Sequence, residues 1–283
     1  AIGGSSWKGV VKVYELNGDI WKQMGSDIIG DGERHGKSIS LSGDGTRIAI
    51  GAPAGDYGSV KVYDYKDNCM TGIDYCWKEI GIKPGNSRDL TGETKYDYYG
   101  ESVSLSSNGK YVAVGAVYYQ QSIAKNFNKT KRHIGRVYVY KFNNNKNIWD
   151  KLGSIDGNAN NDRAGVGVNL SANTDGGDDV LRVAIISPLH NANGIEYSGQ
   201  VRVFENNNDY SKWNQIGTFY GVSKDGGNRT SISLSSDGNR IAIGDSIEDK
   251  VRVYNYDESS NHPPWSLVGS DVVSDVVSGV ANA

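Results

Sequence analysis

Residues 38–51, SISLSGDGTRIAIG, decide the fold. Apolar residues occupy every second position, Ile39 and Leu41 before the turn Gly43-Asp44-Gly45 and Ile48 and Ile50 after it. Period-two alternation places one face of an extended chain in a core, and Asp-Gly supplies the residues that tolerate positive φ, so the stretch predicts a short β-hairpin. The unit returns as SVSLSSNGKYVAVG at 102–115 and SISLSSDGNRIAIG at 231–244, and in stretched form as GVNLSANTDGGDDVLRVAII at 167–186.

A second unit alternates with the first. It reads VKVYELNGDIWKQMG from Val11, and its other copies start at Val60, Val137, Val201 and Val251. Each is an alternating strand, a polar loop and a short strand whose tryptophan (Trp21, Trp77, Trp149, Trp213, Trp265) stands four residues before glycine. Two hairpins make four antiparallel strands, A to D, recurring about every 64 residues, the signature of a β-propeller in which neighbouring blades cover each other's faces. The expected architecture is all-β, a single domain over residues 1–283 with five blades: 38–81, 102–153, 166–217, 231–269, and a fifth formed by 1–25 with the C-terminal tail from Asp271. That last blade lacks an inner strand of its own, and the tail, a neighbouring molecule or sequence outside this chain is expected to supply it.

Composition agrees. Glycine is abundant (37), tyrosine frequent (18) and proline scarce (5), which suits short strands joined by tight turns. A net charge of −3 gives no reason to expect nucleic acid as a partner. No apolar run reaches the roughly 20 residues of a membrane-spanning helix. The chain opens on Ala1 without methionine, which reads as a processed chain or a fragment. Cys69 and Cys76 stand at opposed strand ends of one hairpin and are expected to form a disulfide, which points to an oxidising compartment. Sequons at Asn128, Asn169 and Asn228 fit a secreted or surface-exposed chain.

The repeats resemble the FG-GAP repeat of integrin α-subunit propellers and related secreted proteins. The resemblance rests on His35-Gly36-Lys37-Ser38 leading to Gly51-Ala52-Pro53, on Tyr99-Gly100-Glu101-Ser102 leading to Gly115-Ala116, and on the G-x-V-x-V-Y strand. It implies the propeller fold and, for some members, calcium in the A–B hairpin. In the third blade Ser171, Asn173, Asp175 and Asp179 align with that family's ligand loop, serine replacing the first aspartate, so a structural Ca2+ is expected there. Oxygen donors at alternate positions around a glycine turn suit a hard cation.

Other chemistry is weakly represented. Ser-x-Asp-Gly turns faintly resemble a sialidase Asp-box but are explained as turn formers. His35, His133, His190 and His262 have no zinc-like spacing, and no serine sits in a G-x-S-x-G elbow. Loop length is more informative, because irregular loops on the D–A and B–C side of a propeller carry binding. The longest, 116–135, holds Tyr118, Tyr119, Lys129, Lys131, Arg132 and His133, and the preceding D–A connection adds Tyr96 and Tyr98. Tyrosines beside a basic run suit an acidic glycan or an acidic protein surface.

These readings lead to a non-enzymatic extracellular module for adhesion or assembly, docking a protein or polysaccharide on its loop face. The alternatives are a subunit of an extracellular filament or virus coat, packed against neighbouring subunits, and a propeller glycosidase or polysaccharide lyase.

Overall fold

The computed structural model describes residues 1–4, 8–32, 34–70, 73–81, 90–122, 130–173, 179–207, 212–224, 226–259 and 264–273. Four antiparallel sheets follow one another along the chain, each built on a four-stranded meander in sequence order, the fourth with one further short strand. Sheet 1 holds Ser38–Leu41, Arg47–Ala52, Ser59–Met70 and Ile73–Ile80. Sheet 2 holds Tyr99–Leu105, Tyr111–Ala116, Arg136–Asn143 and Ile148–Asp156, and sheet 3 Gly167–Asn173, Val180–Ser187, Gln200–Asn207 and Asn214–Tyr220. Sheet 4 holds Thr230–Leu234, Arg240–Asp245, Lys250–Tyr256 and Trp265–Leu267. An N-terminal sheet pairs Ile2–Gly4, Val10–Lys12 and Ile28–Ile29, with the hairpin Tyr14–Asn17 and Ile20–Gln23 extending it.

The hairpins turn where Asp and Asn side chains close them. Asp44 accepts hydrogen bonds from Ser42 Oγ (2.6 Å) and Thr46 N (3.0 Å), and Asn108 and Asp237 occupy the same place in sheets 2 and 4. This accounts for the Ser-x-Asp-Gly turns without any ligand.

Stacking builds the core between sheets. The inner strand Tyr99–Leu105 lies against Ser38–Leu41 and Arg47–Ala52 of the sheet before it, and Gly167–Asn173 repeats the arrangement on sheet 2. Polar inner-strand residues tie these joints: Ser38 Oγ donates to Gly100 O (2.8 Å), Ser102 Oγ donates to Gly165 O (2.7 Å), and Ser40 and Ser104 accept the amides of Leu105 and Leu170 (2.9 Å each). Asn169 accepts the amide of Leu234 at 2.8 Å. Its side chain therefore belongs to the joint between sheets 3 and 4, which explains that sequon structurally.

Four of the repeated tryptophans, Trp77, Trp149, Trp213 and Trp265, also pack between sheets. Trp77 Nε1 donates to Met24 O (2.8 Å) and Trp265 Nε1 to Ile216 O (3.1 Å), each reaching back to the preceding sheet. At two joints the glycine four residues after a tryptophan admits the next one: a Cβ on Gly81 would lie 2.3 Å from Trp149 Cδ1, and one on Gly217 2.6 Å from Trp265 Nε1.

Two parts of the chain depart from the sequence reading. Val272–Val273 pairs with Val251 and Lys250 on the outer edge of sheet 4, so this part of the tail serves the fourth sheet and not the inner side of a fifth. Residues 274–283 lie outside the described residues. The long 116–135 loop carries its own small hairpin, Gln121–Ser122 with Thr130–Lys131.

Candidate functional site

In an antiparallel meander the D–A and B–C connections leave every sheet at one end, and the candidate site is built there. Its frame is a repeated backbone device. Arg34, Tyr98 and Arg163 each stand two residues before a glycine and adopt left-handed φ (61°, 58° and 52°), and the glycines Gly36, Gly100 and Gly165 are left-handed too. Non-glycine residues held this way cost about 1–3 kcal/mol each and persist where the surroundings over-determine them.

Buried carboxylates provide that determination at Tyr98 and Arg163. Asp97, immediately before Tyr98, is 1% exposed and accepts hydrogen bonds from Tyr99 N (3.0 Å), Thr94 Oγ1 (3.1 Å) and Thr94 N (3.4 Å). Burial pushes its carboxyl above the ordinary value, against the pull of those donors. Asp162, immediately before Arg163, accepts from Asn158 N (3.0 Å) and Ala159 N (2.8 Å) and faces His190 Nδ1 at 3.1 Å. Asp97→Ala is expected to destabilise the fold by about 1–3 kcal/mol by orphaning the Tyr99 and Thr94 donors. A thermal melt checks it.

Above this frame four side chains converge. Tyr118 is central: the Tyr98 ring lies 4.9 Å from it and the His133 ring 5.2 Å, both edge-on, and the Arg163 guanidinium stacks over its face at 4.9 Å. Backbone bonds hold the three loops in register, Tyr118 N donating to Asp97 O (3.0 Å) and Arg163 N to His133 O (3.1 Å). All four side chains are half-buried. Beyond the stacking on Tyr118, the Arg163 side chain has no hydrogen bond or ion pair among the described residues, and its Nε is buried without a partner. Such a guanidinium presents its fork to whatever enters the site, and a carboxylate or sulfate is the group that matches it.

The residues expected from sequence divide accordingly. Tyr98, Tyr118 and His133 are brought together. Tyr119 points elsewhere, under the Arg136 guanidinium at 3.8 Å. There Arg136 also pairs with Asp156 and, at 3.5 Å, with Glu93. Burial pushes the Glu93 carboxyl up, but Lys151, Tyr138 and Arg136 outweigh it and hold the group below its usual value. Tyr96 is exposed and apart from the four-residue cluster, its amide bonded to Asp56 O at 2.6 Å. Arg132 is exposed at the rim, where its carbonyl accepts Asn161 N (3.0 Å). Lys129, and the side chain of Lys131, lie outside the described residues, as do Asn128 and the Asn228 side chain. Sequence reasoning missed Arg163. Its signal was the position: two before the glycine, matching Tyr98 in the neighbouring repeat.

The expected calcium ligands are placed as follows. Ser171 and Asn173 belong to the strand, in register with Arg182 and Val180. Asp179 accepts the Tyr111 hydroxyl and faces Lys141 Nζ at 3.6 Å, and Asp175 lies outside the described residues. Among the described residues no three His, Cys, Asp or Glu side chains converge as a metal site. Cys76 sits opposite Lys66 in the long hairpin, and the Cys69 side chain lies outside the described residues.

No family model matches the chain, and no curated protein matches it. Among solved structures it is similar to a 6-phosphogluconolactonase-like protein of Bacteroides uniformis, with a TM-score of 0.54 and 12% identity. That match covers 95% of this chain and 69% of the other. It is also similar to Saccharomyces cerevisiae Sqt1, with a TM-score of 0.51 and 14% identity over 94% of this chain. The chain spans 57% of Sqt1. The likeness is one of fold: an all-β, propeller-like arrangement of four-stranded sheets. At these identities activity does not transfer.

Proposed function

We propose that the chain is a non-enzymatic extracellular binding module whose loop face docks an acidic polysaccharide through Arg163, Tyr118, Tyr98 and His133. The observation that carries this reading is the Arg163 guanidinium, free of any ion pair among the described residues and laid over Tyr118. The aromatic edges and faces supply stacking for a sugar ring, and the guanidinium supplies two parallel donors for its acidic group. The nearest carboxylates, Asp97 and Asp162, are each 1% exposed and committed to backbone amides or His190, which supports binding over acid–base catalysis. In this reading the four sheets and the N-terminal sheet are blades of one propeller domain of the FG-GAP type. The N-terminal sheet is its fifth blade, whose inner strand is not among the described residues. Cys69 and Cys76 form a disulfide, in keeping with secretion, and the hairpin around Asp175 takes a structural Ca2+.

The test is a glycan array with uronic, sialylated and sulfated members beside neutral ones, run on the chain and on Arg163→Gly. Acidic members are expected to bind, and the variant to lose at least about ten-fold in affinity. Because glycine fits the left-handed backbone at 163, the same variant is expected to gain about 1 kcal/mol of stability. Binding that ignores acidic groups, or survives in Arg163→Gly, sinks the proposal.

A further inference from the structure

The joints inside the chain share one construction. One sheet offers an apolar row from its two outer strands, and the next sheet covers it with a row that ends in tryptophan. Val11, Val13, Met24 and Ile28 of the N-terminal sheet meet Ile48, Ile50, Tyr63 and Trp77 of sheet 1. Val201, Val203, Ile216 and Phe219 of sheet 3 meet Ile241, Ile243, Tyr254 and Trp265 of sheet 4 in the same way.

One half of this construction is left over at each end. In sheet 4 the repeat puts Val251, Val268 and Val272 in the first row, and they are 39%, 41% and 61% exposed. Gly269, the glycine that elsewhere admits a tryptophan, has no atom within 4 Å of the position a Cβ would take. In the N-terminal sheet the repeat puts Ile2, Tyr14 and Trp21 in the second row. Ile2 and Trp21 are 67% and 66% exposed, and the three line one open apolar depression. A tryptophan row without its valine row, and a valine row without its tryptophan, are complementary halves.

We propose that these two faces meet between copies of the chain, head to tail. The Val251, Val268 and Val272 face of one copy receives Ile2, Tyr14 and Trp21 of a second copy, whose indole N–H donates to the Val268 carbonyl as Trp265 does to Ile216. Both faces are exposed among the described residues, and each offers the half of the joint that the other lacks. Because the two faces differ, the contact is heterologous, and its repetition builds a closed ring or a filament. Burying a tryptophan in a fitted apolar site is the kind of anchor that dominates such interfaces.

Sedimentation velocity over a concentration series tests this on the full chain. The native protein is expected to self-associate, and Trp21→Ala to weaken association about ten-fold or more with the melting temperature of the monomer little changed, since Trp21 is 66% exposed. Mixing a Trp21→Cys chain with a Val268→Cys chain is expected to give an intermolecular disulfide, and mixing Trp21→Cys with Asn145→Cys, away from the face, is not. Self-association that survives Trp21→Ala overturns the proposal, as does a chain that stays monomeric throughout. A monomer whose Trp21 is shielded from a quencher shows the two faces closing within one chain and overturns it equally.

Discussion

Gly115→Val is expected to destabilise the chain by about 3 kcal/mol or more, at the upper end of overpacking costs, seen as a lower urea midpoint. A Cβ at this position would lie 2.1 Å from the Gly165 carbonyl oxygen and 2.5 Å from Ser102 Oγ. The first neighbour is backbone and has no flexible end to yield. The second is the hydroxyl that donates to that same carbonyl at 2.7 Å, so the substitution breaks the bond that joins sheets 2 and 3 as it wedges them apart. Gly51 meets the Gly100 carbonyl in the same way one joint earlier, again at 2.1 Å, and its valine variant is expected to behave alike. Gly4→Ala is the control. Its Cβ would meet only Val10 O at 3.7 Å, ordinary contact, and the change is expected to stay within about 0.5 kcal/mol. Equal effects at Gly4 and Gly115 would show that the close approach at the joint is not what these glycines provide.

The second large effect is expected at Glu205. Its carboxylate holds Arg182 through Nε (2.8 Å) and an NH2 nitrogen (2.7 Å), with the two side chains only 10% and 8% exposed. Arg182 also stacks over Tyr256 at 4.2 Å and donates to Asn239, both in sheet 4, so the pair fastens sheet 3 to its neighbour. Glu205→Ala leaves that guanidinium buried without its counter-charge and is expected to cost about 3–5 kcal/mol. The double variant Glu205→Ala, Arg182→Met removes the stranded charge while keeping apolar volume, and is expected to recover most of the loss. A double variant no more stable than the single one would mean that lost packing, not the unpaired charge, sets the cost.

Much of the architecture was open to inspection in the chain. The alternation Ile39, Leu41 and Ile48, Ile50 marks a hairpin, and the register Ile39 with Ile50 and Leu41 with Ile48 is the one found. The regular place of Trp77, Trp149, Trp213 and Trp265, each four residues before a glycine in its repeat, marked them as packing residues, and they pack between sheets. Trp21 holds the same place in its repeat and stands exposed, because that place puts a tryptophan on a face but does not supply the face that covers it. The site was half visible. Tyr98, Tyr118 and His133 were singled out from loop length and residue type, whereas Tyr119, adjacent to Tyr118, points the other way to stack beneath Arg136.

By itself the amino-acid sequence determined strands, turns and their order, because alternation and turn chemistry act between residues a few positions apart. Only the tertiary structure decided that Arg163 lies over Tyr118, that Asn169 belongs to a joint and that Val272 and Val273 serve the fourth sheet's outer edge. Most of these contacts join residues tens of positions apart, or different sheets, and all arise from how whole sheets and their loops come to rest on one another, which no local pattern encodes.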